Sequence, residues 1–273
     1  MLTLNERPTN RILLATAQIP AEYHDDRLRW WTVNSPSWSE HIDADGNRGA
    51  LLADLAQRAH ALIRPAAERP AVIDFGCGEG AFLRAFKRTA PTAVLQGVDF
   101  CPTMLAEARR RSSDPALAYA LGDLEKPGFA TAFRADLVTS ILAVDEMEQI
   151  GVAFRNLAGV LAPGGAAMVV VMDPIKEIER NRKDLDAYFG GNLGNLGVGE
   201  PVLLVKTFPK SGMAPAAPYS RIVRPLPQYA AAAESAGLQP APVEHLAHAV
   251  GLGRYSDTLL FDVLVFRKAG IRG

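Results

Sequence analysis

Residues 72–80 read Val-Ile-Asp-Phe-Gly-Cys-Gly-Glu-Gly, an apolar run that gives way to glycine at every second position. Val72 and Ile73 belong to a short apolar strand, Ala71–Phe75. Gly76, Gly78 and Gly80 follow where a backbone must turn sharply or approach a ligand closely, and a helix is expected from Ala81 to Arg88. The next strand, Ala93–Val98, is closed by Asp99, about 20 residues past the loop, where a carboxylate can accept hydrogen bonds from both hydroxyls of a ribose. Strand, glycine turn, helix and distal carboxylate together indicate a nucleotide site. Two patterns compete for it. Gly76, Gly78 and Ala81 satisfy the dinucleotide form G-x-G-x-x-G/A, while Asp74, Gly76, Gly78 and Gly80 satisfy acidic-x-G-x-G-x-G. Charge separates them. A pyrophosphate avoids carboxylates, whereas Asp74 and Glu79 beside the loop suit a ligand carrying a sulfonium and an ammonium, as S-adenosylmethionine does.

Working outward, short β-branched runs alternate with amphipathic stretches, the pattern of a parallel sheet flanked by helices. Leu51, Leu52, Leu55, Ala59, Leu62 and Ile63 recur at helical spacing and predict a helix over 48–63. Pro102 opens another helix at its first position. Ala116–Leu121 and Asp136–Leu142 read as the third and fourth strands. Ile150, Phe154, Leu157, Val160 and Leu161 form one helical stripe, and the turn Pro163-Gly164-Gly165 feeds a fifth strand, Ala166–Met172. Beyond it, Asp173–Tyr188 reads as a helix and Gly190–Gly199 as a glycine-rich flexible stretch. Pro201–Phe208 and Tyr219–Val223 read as a strand pair, Leu226–Ala236 as a helix ended by Gly237, and Val243–Ala247 and Leu259–Phe266 as the last strands.

The 273 residues can hold one large α/β domain or two small ones. With no repeat and no clear linker, one domain is expected. It divides into an N-terminal helical cap over 1–64, a cofactor-binding core over 70–173, an acceptor-side insertion over 174–224 and a C-terminal helix with antiparallel strands over 225–273. Twenty-nine basic and 30 acidic residues give a net charge of −1, which argues against a surface that tracks nucleic-acid phosphates. The one dense basic run, Arg109–Arg111, ends a predicted helix, where cations suit the helix dipole. Cys77 and Cys101 are too few for a disulfide framework or a cysteine-only zinc site and fit a reducing compartment. No apolar run approaches the roughly 20 residues of a membrane span, and Ile12–Ala15 lacks the form of a signal peptide. A cytoplasmic protein without membrane contact, monomeric or homodimeric, is expected.

In the order and spacing of its motifs the chain resembles the class I S-adenosylmethionine-dependent methyltransferases, most strongly over Ala71–Met172. VIDFGCGEG resembles that family's first motif, VDFCPTML the second strand with its ribose carboxylate, ALGDLEKP the third-strand motif, ADLVTSILAVDEME the fourth and LAPGG the turn before strand five. The resemblance implies a Rossmann-like α/β fold: a seven-stranded, mostly parallel sheet with a reversed last strand and helices on both faces. It also implies site roles. Asp74 and the backbone of Gly76, Cys77 and Gly78 would face the methionine moiety and Asp99 the ribose. Phe100 and Met104 would pack on adenine, with Asp123 and the backbone of Leu124 at its amino edge, and Ser140 would line the methionine end through its backbone. Cys77 reads as a spacer rather than a thiolate.

Methyl transfer from a sulfonium is an in-line displacement with an activated donor, so the protein supplies positioning, water exclusion and, for a protonated acceptor, a base. Asp145 and Glu146 follow strand four at the rim where acceptors bind in such folds. Either is a candidate base or orienting group; the alternative is a cap on the next helix. His24 is a third candidate base, of the residue type whose free side chain titrates near neutrality. It lies in Tyr23–Trp38, which holds all three tryptophans, Trp30, Trp31 and Trp38. These read either as a lid or aromatic wall or as packing of an N-terminal helix. His245 and His248, three apart on a strand, face opposite sides and do not read as a metal pair, so no metal is expected. The apolar run Ile141–Val144 suits a small organic acceptor, with secondary metabolism as the expected setting and S-adenosylhomocysteine as the product. An RNA or protein methyltransferase and a non-methylating S-adenosylmethionine-binding relative are the alternatives.

Overall fold

A computed structural model describes residues 11–15, 19, 21–65, 67–112, 114–128, 134–179, 202–206, 219–252 and 255–270. In chain order these form β1 (Arg11–Ala15), α1 (Tyr23–Asp43), α2 (Arg48–Ala61), β2 (Ala71–Phe75), α3 (Ala81–Thr89), β3 (Val94–Asp99), α4 (Pro102–Arg111), β4 (Leu117–Leu121) and β5 (Ala135–Ile141). A 3-10 turn (Val144–Glu146), α5 (Ile150–Val160) and β6 (Leu161–Met172) come next, then a short helix α6 over 174–179. The chain closes with β7 (Val202–Lys206), β8 (Tyr219–Val223), α7 (Leu226–Ser235), β9 (Leu238–Pro240), β10 (Glu244–Leu252) and β11 (Tyr255–Lys268).

The main sheet runs β4-β3-β2-β5-β6-β11-β10. Its first five strands are parallel, and β11 runs antiparallel to both β6 and β10. This is the expected seven-stranded, mostly parallel sheet with a reversed last strand, plus an eighth strand. The extra strand β9 pairs only with Phe266–Lys268, and three residues are too few to show a period-2 pattern. Strand alternation splits the core in two. Val72, Leu95, Leu137, Val170 and Phe261 point to the side covered by α2 and α3, while Ile73, Phe75, Val138 and Phe266 point to the side covered by α5 and α7. Each helix turns one apolar stripe inward, as Phe154, Leu157 and Ala158 of α5 do.

A second, three-stranded antiparallel sheet has the order β1-β7-β8. Its β7–β8 pair was legible in sequence, but β1 corrects the expectation of a purely helical N-terminal extension. Five apolar-rich residues cannot be assigned by periodicity alone, and the partner of β1 lies far along the chain, where Leu13 meets Leu204. The helix expected over Asp173–Tyr188 is present over 174–179; its remainder and the glycine-rich 190–199 lie outside the described residues. Among the described residues no helix is long and apolar enough to cross a membrane.

Candidate active site

The glycine loop has a steric origin. Gly76, Gly78 and Gly80 have φ of +70°, +52° and +79°, a region that costs an L-residue about 1–2 kcal/mol. A Cβ on Gly76 would lie 2.3 Å from the Cβ of Ala143, and one on Gly80 2.4 Å from the hydroxyl of Tyr119. The loop is held down by the amides of Gly76 and Cys77, which donate to the Val98 carbonyl at 2.8 and 3.1 Å. Gly97 on β3 is a further requirement that no motif signalled: its Cβ would lie 2.7 Å from Cys77 Sγ. Opposite the loop, Leu142 is the only non-glycine residue with positive φ (+56°) among those described. Its strained turn at the end of β5 brings Ala143 against Gly76.

Two carboxylates line the cavity beside this loop. Asp99 accepts from the amides of Gly78 and Cys101, both at 2.9 Å. Burial pushes its carboxyl up to about 6, against the pull of those hydrogen bonds. Asp74 accepts from Thr139 Oγ1 at 2.7 Å; burial, reinforced by the charge of Asp99, pushes it up to about 7. Desolvated carboxylates of this kind favour hydroxyl donors or a cation. The charge reading of the loop needs one correction. Glu79 is buried but ion-paired to Arg48 at 2.6 Å and Arg84 at 2.5 Å, so its charge is compensated. Beside the loop, Asp74 and Asp99 are then the carboxylates without a lysine or arginine ion pair among the described residues.

The cavity, of about 250 Å³, is also lined by Gly76, Cys77, Gly78, Phe100, Met104, Asp123, Leu124 and Glu146. Nearly all of the residues expected at the cofactor therefore converge on one space. Burial holds the Cys77 thiol well above its usual range, which fits a spacer. Ser140 is set back: it is fully buried but is not part of the lining, which Ile141, Leu142 and Ala143 supply instead. On β5 it points with Val138 to the face opposite Thr139 and Asp74, because strand side chains alternate.

The three candidate bases separate. Glu146 faces the cavity, and Trp31 Nε1 donates to its Oε2 at 2.8 Å. Its carbonyl accepts from the Tyr23 hydroxyl at 2.6 Å and from Arg27. Asp145 does not face the cavity. It is buried beside β8 with Arg221 Nη1 3.5 Å away, and burial raises its carboxyl while Arg221 opposes. Neighbours on a 3-10 turn diverge by about 120°, which sends these two carboxylates apart. Neither caps α5, whose N-cap is Gln149 with no side-chain cap bond. His24 is not among the lining residues; its Nε2 is 2.8 Å from Asp123 Oδ2 and its ring 5.8 Å from that of Phe100. It lies beside the residues expected to hold adenine.

Arg27 and Arg48 line the cavity without having been singled out in the sequence, whereas Trp31 and Trp38, expected as a lid or aromatic wall, also line it. The missed signal was periodic: His24, Arg27, Trp31 and Trp38 recur on one face of α1. The buried Arg27 guanidinium is ion-paired with Glu125 and sits 4.8 Å over the Phe100 ring. Trp30, Trp31 and Trp38 meet edge-on, with centroids 4.8 to 5.9 Å apart. The tryptophan helix is both a packed element and a wall of the site.

Residues 73–169 match the family described as a methyltransferase domain. The chain is similar to the malonyl-[acyl-carrier protein] O-methyltransferase of Pseudescherichia vulneris, 36% identical over 116 residues that make up 42% of this chain and 41% of that one. It is also similar to the trans-aconitate 2-methyltransferase of Methylobacterium nodulans, 32% identical over 118 residues, 41% of this chain and 42% of that one. The aligned part thus spans less than half the length of these curated relatives. Among solved structures, a methyltransferase of Methanosarcina mazei shares the fold with a TM-score of 0.58 at 12% identity, covering 77% of this chain and 96% of that one. One from Mesorhizobium loti gives 0.52 at 20% identity, covering 78% and 96%. Over residues 73–169 the chain carries a class I S-adenosylmethionine-dependent methyltransferase domain.

Proposed function

We propose that the chain transfers a methyl group from S-adenosylmethionine to an oxygen, nitrogen or carbon atom of a small organic acceptor. The single observation that carries this reading is the placement of Glu146 in the same cavity as Asp74, the glycine loop and Asp99. Bound there, the cofactor supplies a methyl group on a positively charged sulfur. Asp74 and the backbone of Gly76–Gly78 would hold its methionine end and Asp99 its ribose. Phe100, Met104, Leu124 and Asp123 would hold its adenine. At Gly78 an added Cβ would meet no protein atom within 4 Å, so the backbone there faces open space in the cavity, which supports the fit.

The remaining work falls to the protein's own groups. Trp31 and Trp38 wall the cavity and keep water from it. Glu146, buried and oriented by Trp31, holds an acceptor donor in line or takes its proton. The apolar lining at Ile141, Leu142 and Ala143 favours an organic framework, and the two relatives named above act on small carboxylic acids or an acyl carrier's acyl group by name. The chain is read as one domain, with 1–64 as cap and 174–224 as an acceptor-side insertion. The packing of β8 on the 3-10 turn and on α1 supports that division.

The test is a panel of carboxylic acids, phenols and amines incubated with S-adenosylmethionine, read as S-adenosylhomocysteine release. Turnover on at least one acceptor, lost in Glu146→Gln with cofactor affinity retained, is the expected result. Cofactor binding without turnover on any of them would leave a binding protein and overturn the reading.

A further inference from the structure

Asp173, His245 and Asp262 meet away from the cavity, where β6 ends against the β10–β11 pair. His245 and Asp262 are cross-strand partners, Asp262 pairs with Val171 of β6, and the Asp173 amide donates to the Leu260 carbonyl at 2.9 Å. One ligand atom from each of the three side chains lies within 4.8 Å of the others. The Asp262 side chain is 1% exposed, and its Oδ1 is 2.6 Å from His245 Nδ1. Its Oδ2 is buried with no hydrogen-bond partner. A buried carboxylate oxygen left unmatched is destabilising and calls for a partner. A second carboxylate, Asp173, stands at the same point; among the described residues its Oδ1 accepts from the Lys176 amide at 2.9 Å. Two carboxylates so close repel each other, and a proton on one of them or a cation between them relieves the repulsion.

A second histidine–carboxylate group, His24, Asp123 and Glu125, has similar spacing, but there the cation is already supplied. Arg27 is ion-paired with Glu125, and Lys126 is 3.7 Å from Asp123. Among the described residues neither Asp173 nor Asp262 has a lysine or arginine ion pair. We propose that Asp173, His245 and Asp262 form a divalent transition-metal site, with Zn²⁺ as its preferred ion. One imidazole nitrogen with two carboxylate oxygens is a donor set for a borderline ion rather than for Mg²⁺ or Ca²⁺, and three protein ligands leave a position for water. His245 is 71% exposed, so the ion has a path from solvent. Bound there, it ties the β10–β11 pair to the start of the 174–224 segment.

The experiment is calorimetric titration of the metal-stripped, tag-free chain with ZnCl₂, repeated on His245→Gln, Asp262→Asn and, as a control, His24→Gln. One Zn²⁺ per chain is expected, with affinity about 10-fold or more weaker in His245→Gln and unchanged in His24→Gln. Because His245 is exposed, its variant keeps the test valid should Asp262→Asn fail to fold. No saturable binding, or equal affinity in His245→Gln, or loss in His24→Gln alone, would overturn the site.

Discussion

The indole nitrogen of Trp31 donates to Oε2 of Glu146 at 2.8 Å, joining the N-terminal helix to the turn after β5. Tyr23 and Arg27 of the same helix hold the Glu146 carbonyl, so the one carboxylate of that turn that faces the cavity is set from α1. Replacing Trp31 by phenylalanine removes the donor and keeps most of the apolar wall. Loss of a hydrogen bond to a buried charged group should lower stability by about 1–3 kcal/mol, measured by urea unfolding. S-adenosylhomocysteine affinity should change much less than turnover.

Asp99→Asn tests the ribose assignment. The amides of Gly78 and Cys101 converge on the two oxygens of Asp99, so the isosteric amide disturbs both the loop and the ligand contact. Affinity for S-adenosylhomocysteine should fall by roughly 1–3 kcal/mol in a calorimetric titration. Unchanged affinity would contradict a role for Asp99 in the site.

Gly76→Ala and Gly78→Ala separate close approach from strain. Both positions have positive φ, at a cost of about 1–2 kcal/mol for alanine. Only the Gly76 Cβ also collides, with Ala143; at Gly78 nothing lies within 4 Å. Gly76→Ala should therefore be the less stable of the two in urea.

The raised carboxyls set a pH dependence. The folded chain holds protons on Asp74 up to about 7 and on Asp99 up to about 6, against 3.8 for the ordinary side chain. Between about pH 4 and 7 the native state binds more protons than the unfolded one, so the contribution of these groups to stability falls as pH rises. That fall should be shallower in Asp74→Asn than in the parent chain when melting is followed from pH 5 to 7.5. A cationic ligand prefers the ionised carboxylates, so S-adenosylmethionine affinity should rise over the same interval.

The parallel sheet was legible in sequence because its signals are local: apolar runs of strand length, proline at the start of α4, and glycines where φ is positive. Cofactor residues were legible for the same reason, since Asp74, the loop and Asp99 sit at fixed intervals on consecutive strands. Ser140, expected at the site through its backbone, is not among the lining residues, which Ile141, Leu142 and Ala143 supply beside it. Strand β1 was missed because its partner is distant in sequence.

Sequence alone determined the strands of a mostly parallel sheet and the position of the glycine loop, because apolar runs, glycines and helix stripes are local signals. The order of the strands in the sheet came from tertiary pairing. Tertiary structure decided the charge and the chemistry. Glu79 reads as an anion beside the loop, but Arg48 from α2 and Arg84 from α3 neutralise it. Asp145 and Glu146 are adjacent and equivalent on paper, yet the turn aims one at Arg221 and the other at the cavity. Electrostatic and hydrogen-bonding partners come together through packing of distant segments, and no spacing along the chain encodes them.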